Sequence, residues 1–179
     1  MPQKEDMVPL AEAERQVELT SERLALLHLA FARTIVNELG EENGKKLVLK
    51  AIKEYGRMVG EQARQKVIGQ GLEPSPENYA AAGDLPKYGM HQGKEKLVID
   101  GESRSRAYGC VMGRVWAERD EADLGRLYCY VDTAKYMAYN PEFKMVHTQA
   151  LPDGDECCEF RICPTSGQEK SDFADDEAD

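Results

Sequence analysis

The sequence predicts an α+β fold: long N-terminal helices packed on a C-terminal antiparallel sheet, with one helix inserted among the strands. Three observations predict it. Residues 20–68 hold two long segments with apolar side chains at helical spacing. GQGLEPSPENY then breaks that pattern with two prolines and two glycines. Beyond it, short strand-like runs are joined by the turn pairs Asp100-Gly101 and Asp153-Gly154. Residues 1–165 are expected to form a single domain, helical over about 10–85 and mixed over about 95–165. Residues 166–179 are expected to be an acidic, disordered tail.

The first helix is predicted over TSERLALLHLAFARTIVNEL, residues 20–39. Leu24, Leu27, His28, Phe31 and Ile35 form its apolar stripe, Thr20 or Ser21 caps it and Gly40 ends it. The upstream AEAERQVEL reads as a short additional helix. A second helix runs from about Glu42 to Ile68, with Val48, Ile52, Tyr55, Val59 and Ala63 as its stripe. Gly56 and Gly60 lie one turn apart and should let another backbone come close. A short helix and a loop are expected over 75–86. Strands follow at 96–100 and 105–112, and a short helix at 114–119. A longer helix, capped by Asp123, runs to about Tyr139 and stops at Asn140-Pro141. FKMVHTQ (143–149) and CCEFRIC (157–163) are the last two strands.

The formal net charge of -10 argues against a nucleic-acid partner, since phosphate binding needs a basic surface. No apolar run approaches the roughly 20 residues that span a bilayer. MPQKEDMVPL lacks a signal-peptide core, so a cytoplasmic setting with reduced thiols is expected. The five cysteines are an odd number, and all lie after residue 109. Packing, metal binding or chemistry must account for them. The expected partner is a small molecule, and homodimerisation is left open.

Asp153-Gly154 as a two-residue loop sets a register. Pro152 then pairs with Asp155, Gln149 with Cys158, His147 with Phe160 and Met145 with Ile162. Opposed residues share a face, so Phe143, Met145, His147, Gln149, Cys158, Phe160 and Ile162 form an apolar face. Lys144, Thr148, Cys157, Glu159 and Arg161 form the other. Cys157 and Cys158 therefore point to opposite sides. On the helix 123–139, Leu124, Leu127, Val131, Ala134 and Ala138 cluster on one side. Cys129, Asp132 and Tyr136 line the other, a thiol, a carboxylate and a phenol in a row that suits a cleft.

Residues 127–160, LYCYVDTAKYMAYNPEFKMVHTQALPDGDECCEF, carry a resemblance. The features are YC-x-x-D, a helix end at YNP, a strand with a histidine, and GD-x-x-C-x-F. They fall on Tyr128, Cys129, Asp132, Asn140, Pro141, His147, Gly154, Asp155, Cys158 and Phe160. In these features the chain resembles the L-2-amino-thiazoline-4-carboxylic acid hydrolase family. The resemblance implies ring-opening hydrolysis at the electrophilic carbon between sulfur and nitrogen. The non-apolar helix stripe and the apolar strand face bring Cys129, Asp132, His147 and Cys158 together as the expected catalytic set, and no cofactor is expected. A thiol or a held water attacks, His147 moves protons and Asp132 orients a partner. Cys129 is the first-choice thiol, but beside a carboxylate it needs a cation to become a thiolate. Arg106 and Arg126, with Tyr136 and Asn140, are the substrate-binding candidates.

Two competing uses of these residues stay open. Cys129, Asp132, His147 and Cys158 form a chemically reasonable zinc or iron set, though no CxxC or HxxxH spacing supports it. The same pocket also suits a non-enzymatic sensor or ligand-binding domain. An arginine-lined cleft with a low-pKa thiol favours the enzyme, and a closed apolar pocket the binder. His28 is expected to pack in the core, His91 to lie on a surface loop, and Cys110 to sit in a core strand.

Overall fold

The computed structural model describes residues 7–166. The acidic tail expected at 166–179 lies, from residue 167 on, outside the described residues. The fold is α+β: the helices fill mostly the N-terminal part, and a four-stranded antiparallel sheet forms the C-terminal part.

Helix α1 is one unbroken helix, Leu10–Leu39. The break expected near residue 20 does not occur, because no glycine or proline interrupts the chain there. Thr20 and Ser21 are not caps. Their hydroxyls donate to the carbonyls of Gln16 and Val17, each at 2.8 Å, as mid-helix residues do. Gly40, at φ 80°, turns the chain directly into α2, Glu41–Gly69. The buried stripe of α1 is Ser21, Ala25, His28, Leu29 and Ala32. The expected stripe is thus partly displaced: Leu27 is 53% exposed and Phe31 63% exposed. Small residues form the inner face because α2 and the short helices press close to it. In α2, Val48 and Ala63 are buried as expected, Ile52 and Val59 are half-buried, and Tyr55 is 42% exposed.

A 3-10 segment, Pro76–Ala82, leads to the sheet. Strand β1 is Gly93–Ile99 and β2 is Glu102–Tyr108. Asp100 and Gly101, both at positive φ, make the expected two-residue turn between them. Strand β2 ends earlier than expected. Gly109 bends the chain, Cys110 precedes α3, Val111–Ala117, and so Cys110 lies outside any strand. The single helix expected over 123–139 is two: α4, Ala122–Tyr128, and α5, Val131–Tyr139. The break falls at Cys129 and Tyr130. Strands β3, Phe143–Gln149, and β4, Cys158–Pro164, complete the sheet in the order β1-β2-β4-β3.

The short helices lie between the long pair and the sheet. Helix α3 packs on α1, and buried Trp116 donates its indole N–H to the Ala25 carbonyl at 3.2 Å. Helix α5 packs on α2 on one side and on β3 on the other. At Gly56 and Gly60 the α2 and α5 backbones come close. A Cβ at Gly60 would fall 2.1 Å from the Lys135 carbonyl oxygen.

In the β3–β4 pair, His147 faces Phe160 and Met145 faces Ile162, as expected. The loop differs. Leu151–Asp153 form a 3-10 turn that ends at Gly154, φ 93°. Asp155 accepts the Ala150 N–H at 2.8 Å, in place of the expected Pro152–Asp155 pairing. A bulge follows His147, so Gln149 opposes Glu159 rather than Cys158. Gln149 thereby leaves the apolar face, and its side-chain oxygen accepts the Cys157 thiol at 3.4 Å.

Candidate active site

A mostly apolar cavity of about 500 Å³ opens between the sheet, α5 and the loop before β1. Each wall follows from local structure. The strand registers put Ala107, Cys158, Phe160, His147 and Met145 on one sheet face, and that face lines the cavity. The start of α5 supplies Val131, Asp132 and Lys135, and the α4–α5 break supplies Cys129. The loop before β1 supplies Asp84, Met90 and His91. The four residues Cys129, Asp132, His147 and Cys158 thus line one cavity. Cys157 does not line it.

A charged network runs through this wall. Lys135, with 5% of its side chain exposed, lies between two carboxylates. Its Nζ is 3.0 Å from Asp84 and 3.1 Å from Asp132. The other oxygen of Asp132 is 3.7 Å from His147 Nε2. Tyr79 donates to Asp84 at 2.8 Å. Burial alone would lower the Lys135 pKa, but Asp132, Tyr79 and Asp84 outweigh it and raise it. Burial lowers His147 below the ordinary histidine value, against the pull of Asp132. The imidazole is therefore neutral at neutral pH, next to a charge that favours its protonated form.

The thiols are not activated. Burial, then Asp132, push Cys129 up, and Arg126 offsets them only in part. Cys158 is pushed up to about 11, chiefly by burial, although the Leu151 N–H donates to its sulfur at 3.5 Å. Cys110, also on the cavity wall, is raised by burial. All three are thiols, not thiolates, at neutral pH.

The other expected residues are placed less directly. Arg106 borders the cavity, but its Nε donates to Glu159 at 2.8 Å. Arg126 does not line the cavity, and its Nε donates to both oxygens of Asp153 at 3.0 and 2.9 Å. Tyr136 is not in the cavity. It is fully buried in an aromatic cluster, with ring centroids 4.9 Å from Tyr79 and 5.9 Å from Tyr139. Asp132 lies one turn earlier on the same helix, but the Tyr136 ring packs toward Tyr79 and Tyr139 instead of the cavity. Asn140 closes α5, donating to the Pro74 carbonyl at 2.8 Å and accepting the Glu142 N–H at 3.0 Å. His28 packs against Trp116 and Tyr128 and donates to the Leu124 carbonyl at 2.8 Å.

Three cavity residues escaped sequence reasoning. His91 does lie in a loop, as expected, but its ring faces inward instead of standing on the surface. It lines the cavity, its Nδ1 is buried without a partner, and burial pushes its pKa down to about 4. No local signal marks it. Asp84 likewise sits in a loop without a motif. Lys135 did carry a signal, since it lies three residues after Asp132 and so on the same helix side. Among the described residues, no group of three or more His, Cys, Asp or Glu side chains is arranged to hold a metal ion. No described helix is long and apolar enough to cross a membrane.

Fold and cavity together define a small α+β protein with one mostly apolar internal cavity walled by thiols, a histidine and a carboxylate–lysine network. The chain matches the family of L-2-amino-thiazoline-4-carboxylic acid hydrolases over residues 20–162, and it belongs to that family. Membership supports a hydrolase role in general. Comparison with curated proteins and with solved structures returned no match.

Proposed function

We propose that the protein hydrolyses an aminothiazoline carboxylate or a close heterocyclic relative, with water as the nucleophile. The observation that carries this reading is the neutral His147 imidazole beside Asp132, inside a cavity large enough for one such ring. Water adds its oxygen to the ring carbon between sulfur and nitrogen and gives a proton to His147. The carbon–sulfur or carbon–nitrogen ring bond breaks, and the imidazolium returns that proton to the leaving heteroatom. Asp132 stabilises the imidazolium between the two transfers, and Lys135, itself braced by Asp84, fixes Asp132. The raised thiols favour water over Cys129 as nucleophile. Cys129 and Cys158 are then walls of the site.

The test incubates the purified full chain with the thiazoline and follows the ring-opened product, N-carbamoyl with a free thiol if the carbon–sulfur bond breaks or S-carbamoyl with a free amine if the carbon–nitrogen bond breaks. His147→Ala is expected to lose about 100-fold or more in rate, the usual scale of acid–base catalysis. Cys129→Ser and Cys158→Ser are each expected to stay within about tenfold of wild type, a margin for repacking. Loss of all activity in Cys129→Ser would show thiol attack instead. One observation favours a second reading, a ligand-binding domain without turnover: the walls are mostly apolar and the nearby arginines are already paired. Binding of the thiazoline with no product from wild type would select it.

A further inference from the structure

The cations around the cavity divide into two groups. Lys135 is held by Asp84 and Asp132, Arg106 by Glu159, and Arg126 by Asp153. Lys94 and Lys96 also line the cavity, at its exposed edge on β1. Neither has an ion-pair or hydrogen-bond partner for its side chain among the described residues. Their place is set by register. Lys94 opposes Ala107 and Lys96 opposes Ser105, so both ammonium groups stand on the sheet face that carries Cys158, Phe160 and His147. Next to them His91 presents a buried Nδ1 that meets no partner within the protein. A buried ring nitrogen in that state is destabilised until a ligand or water reaches it. His91 lines the same cavity as Lys94 and Asp132.

We propose that Lys94 and Lys96, with His91 behind them, form a carboxylate-recognition site that selects small zwitterionic heterocycles over uncharged ones. The inference takes its ligand chemistry from the hydrolase reading and adds an orientation to it. The floor, Asp84–Lys135–Asp132, carries one net negative charge. The rim carries the charges of Lys94 and Lys96, which no ion pair among the described residues neutralises, while Glu95 beside them is held by Tyr108 and Arg106. A ring with an amidine-like end and a carboxylate end lies along that gradient, with the amidine toward Asp132 and the carboxylate toward the lysines. The electrophilic carbon then faces His147. A ring without the carboxylate loses the rim contacts and the preferred orientation.

The experiment uses two aromatic probes that cannot be ring-opened, 2-aminothiazole-4-carboxylate and 2-aminothiazole. Their affinities for the full chain are measured by calorimetry at low and high salt. Wild type is expected to bind the carboxylate at least about tenfold more tightly, as for a charge-assisted hydrogen bond. The preference should shrink at high salt, because the rim is exposed. Lys94→Met/Lys96→Met should reduce it to within about threefold, the residue that His91 alone would leave. Lys94→Arg/Lys96→Arg should keep it. Thermal melting checks that the variants fold, and the exposed positions make that the expected result. Undiminished preference in the Met variant, or no preference or no binding in wild type, overturns the proposal. Thiazoline turnover is measured separately. A wild type that distinguishes the probes but opens no ring supports the recognition site and sinks the hydrolase reading. A wild type that opens the ring, with kcat/KM unchanged in the Met variant, does the reverse.

Discussion

The two sides of α5 are built in opposite ways. Against α2 the backbones almost touch, because Gly56 and Gly60 present no side chain and Ala134 and Ala138 present only methyls. Toward the sheet the same helix holds its neighbour at a distance, and the space between is the cavity. One hydrogen bond spans that side close to the charged network, from the Thr133 hydroxyl to the Met145 carbonyl at 2.7 Å. The difference teaches how an open site is kept in shape. The close-packed seam cannot slide, so it fixes where Asp132 and Lys135 stand, and the cavity needs no filling of its own to stay defined.

The seam is the place where a single change should do most harm. Gly60→Leu puts a branched side chain where even a Cβ meets the Lys135 carbonyl. A loss above about 4 kcal/mol is expected, read by chemical denaturation. Gly69→Ala, in the same helix, has open space around it and should stay within about 0.5 kcal/mol of wild type. Equal melting of the two variants would dissolve the contrast between the sides of α5.

On the open side, Lys135→Met leaves two carboxylates facing each other without their shared cation. The expected cost is about 3 to 5 kcal/mol, as for breaking a buried ion pair. Adding Asp84→Asn and Asp132→Asn removes the stranded charges and should recover at least half of that, on the same reasoning. A triple variant as unstable as the single would mean that packing of the lysine stem, not charge, is what matters.

Acid should find the open side next. His91 is pushed down to about 4 and His147 lies below the ordinary 6.5, both chiefly through burial. The folded state therefore prefers the neutral rings. This contribution is fully present above about pH 6.5 and is lost as pH falls from there toward about 4. His91→Gln should flatten that part of the stability curve. A wild-type curve that is already flat between those values would contradict the burial of these rings. In the hydrolase reading, the acid limb of kcat/KM follows His147 and lies below pH 6.5. The smallest effect belongs far from both sides. Phe31→Ser on the outer face of α1 should change stability by no more than about 0.5 kcal/mol. Leu29→Ala, two positions away and buried, should cost about 2 to 5 kcal/mol.

That last pair also shows what the sequence could and could not reveal. Helical spacing found both long helices, and the turn pair Asp100-Gly101 found the first hairpin. Large apolar residues then misled the choice of face in α1. Phe31 and Leu27 looked like core, while the true contact uses Ser21, Ala25 and Ala32, because close helix packing selects small side chains over greasy ones. The alternation in β3 and β4 gave the faces of His147, Cys157 and Cys158, since period two is a local property. The bulge after His147 has no local signature, so Gln149 was put on the wrong side. Nothing in YCYVDT breaks a helix, yet α4 and α5 separate there, and packing against Tyr79, from a distant segment, draws Tyr136 into the core. His91 was hidden because its burial comes from segments distant in the chain, and for Lys135 the spacing from Asp132 gave the helix side but not the Asp84 carboxylate that arrives from a loop.

The seam along α5 also imposes an order in time. Arg64 of α2 reaches the Tyr139 carbonyl across 75 residues of sequence. During synthesis α1 and α2 are finished long before α5 exists, and the groove over Gly56 and Gly60 stays open to water until it does. Contacts so far apart along the chain close late. The cavity takes Tyr55 and Val59 from the early helices and Phe160 from the last strand. No nascent fragment can therefore close the cavity, and a chain cut short before β4 lacks the wall that Cys158 and Phe160 supply.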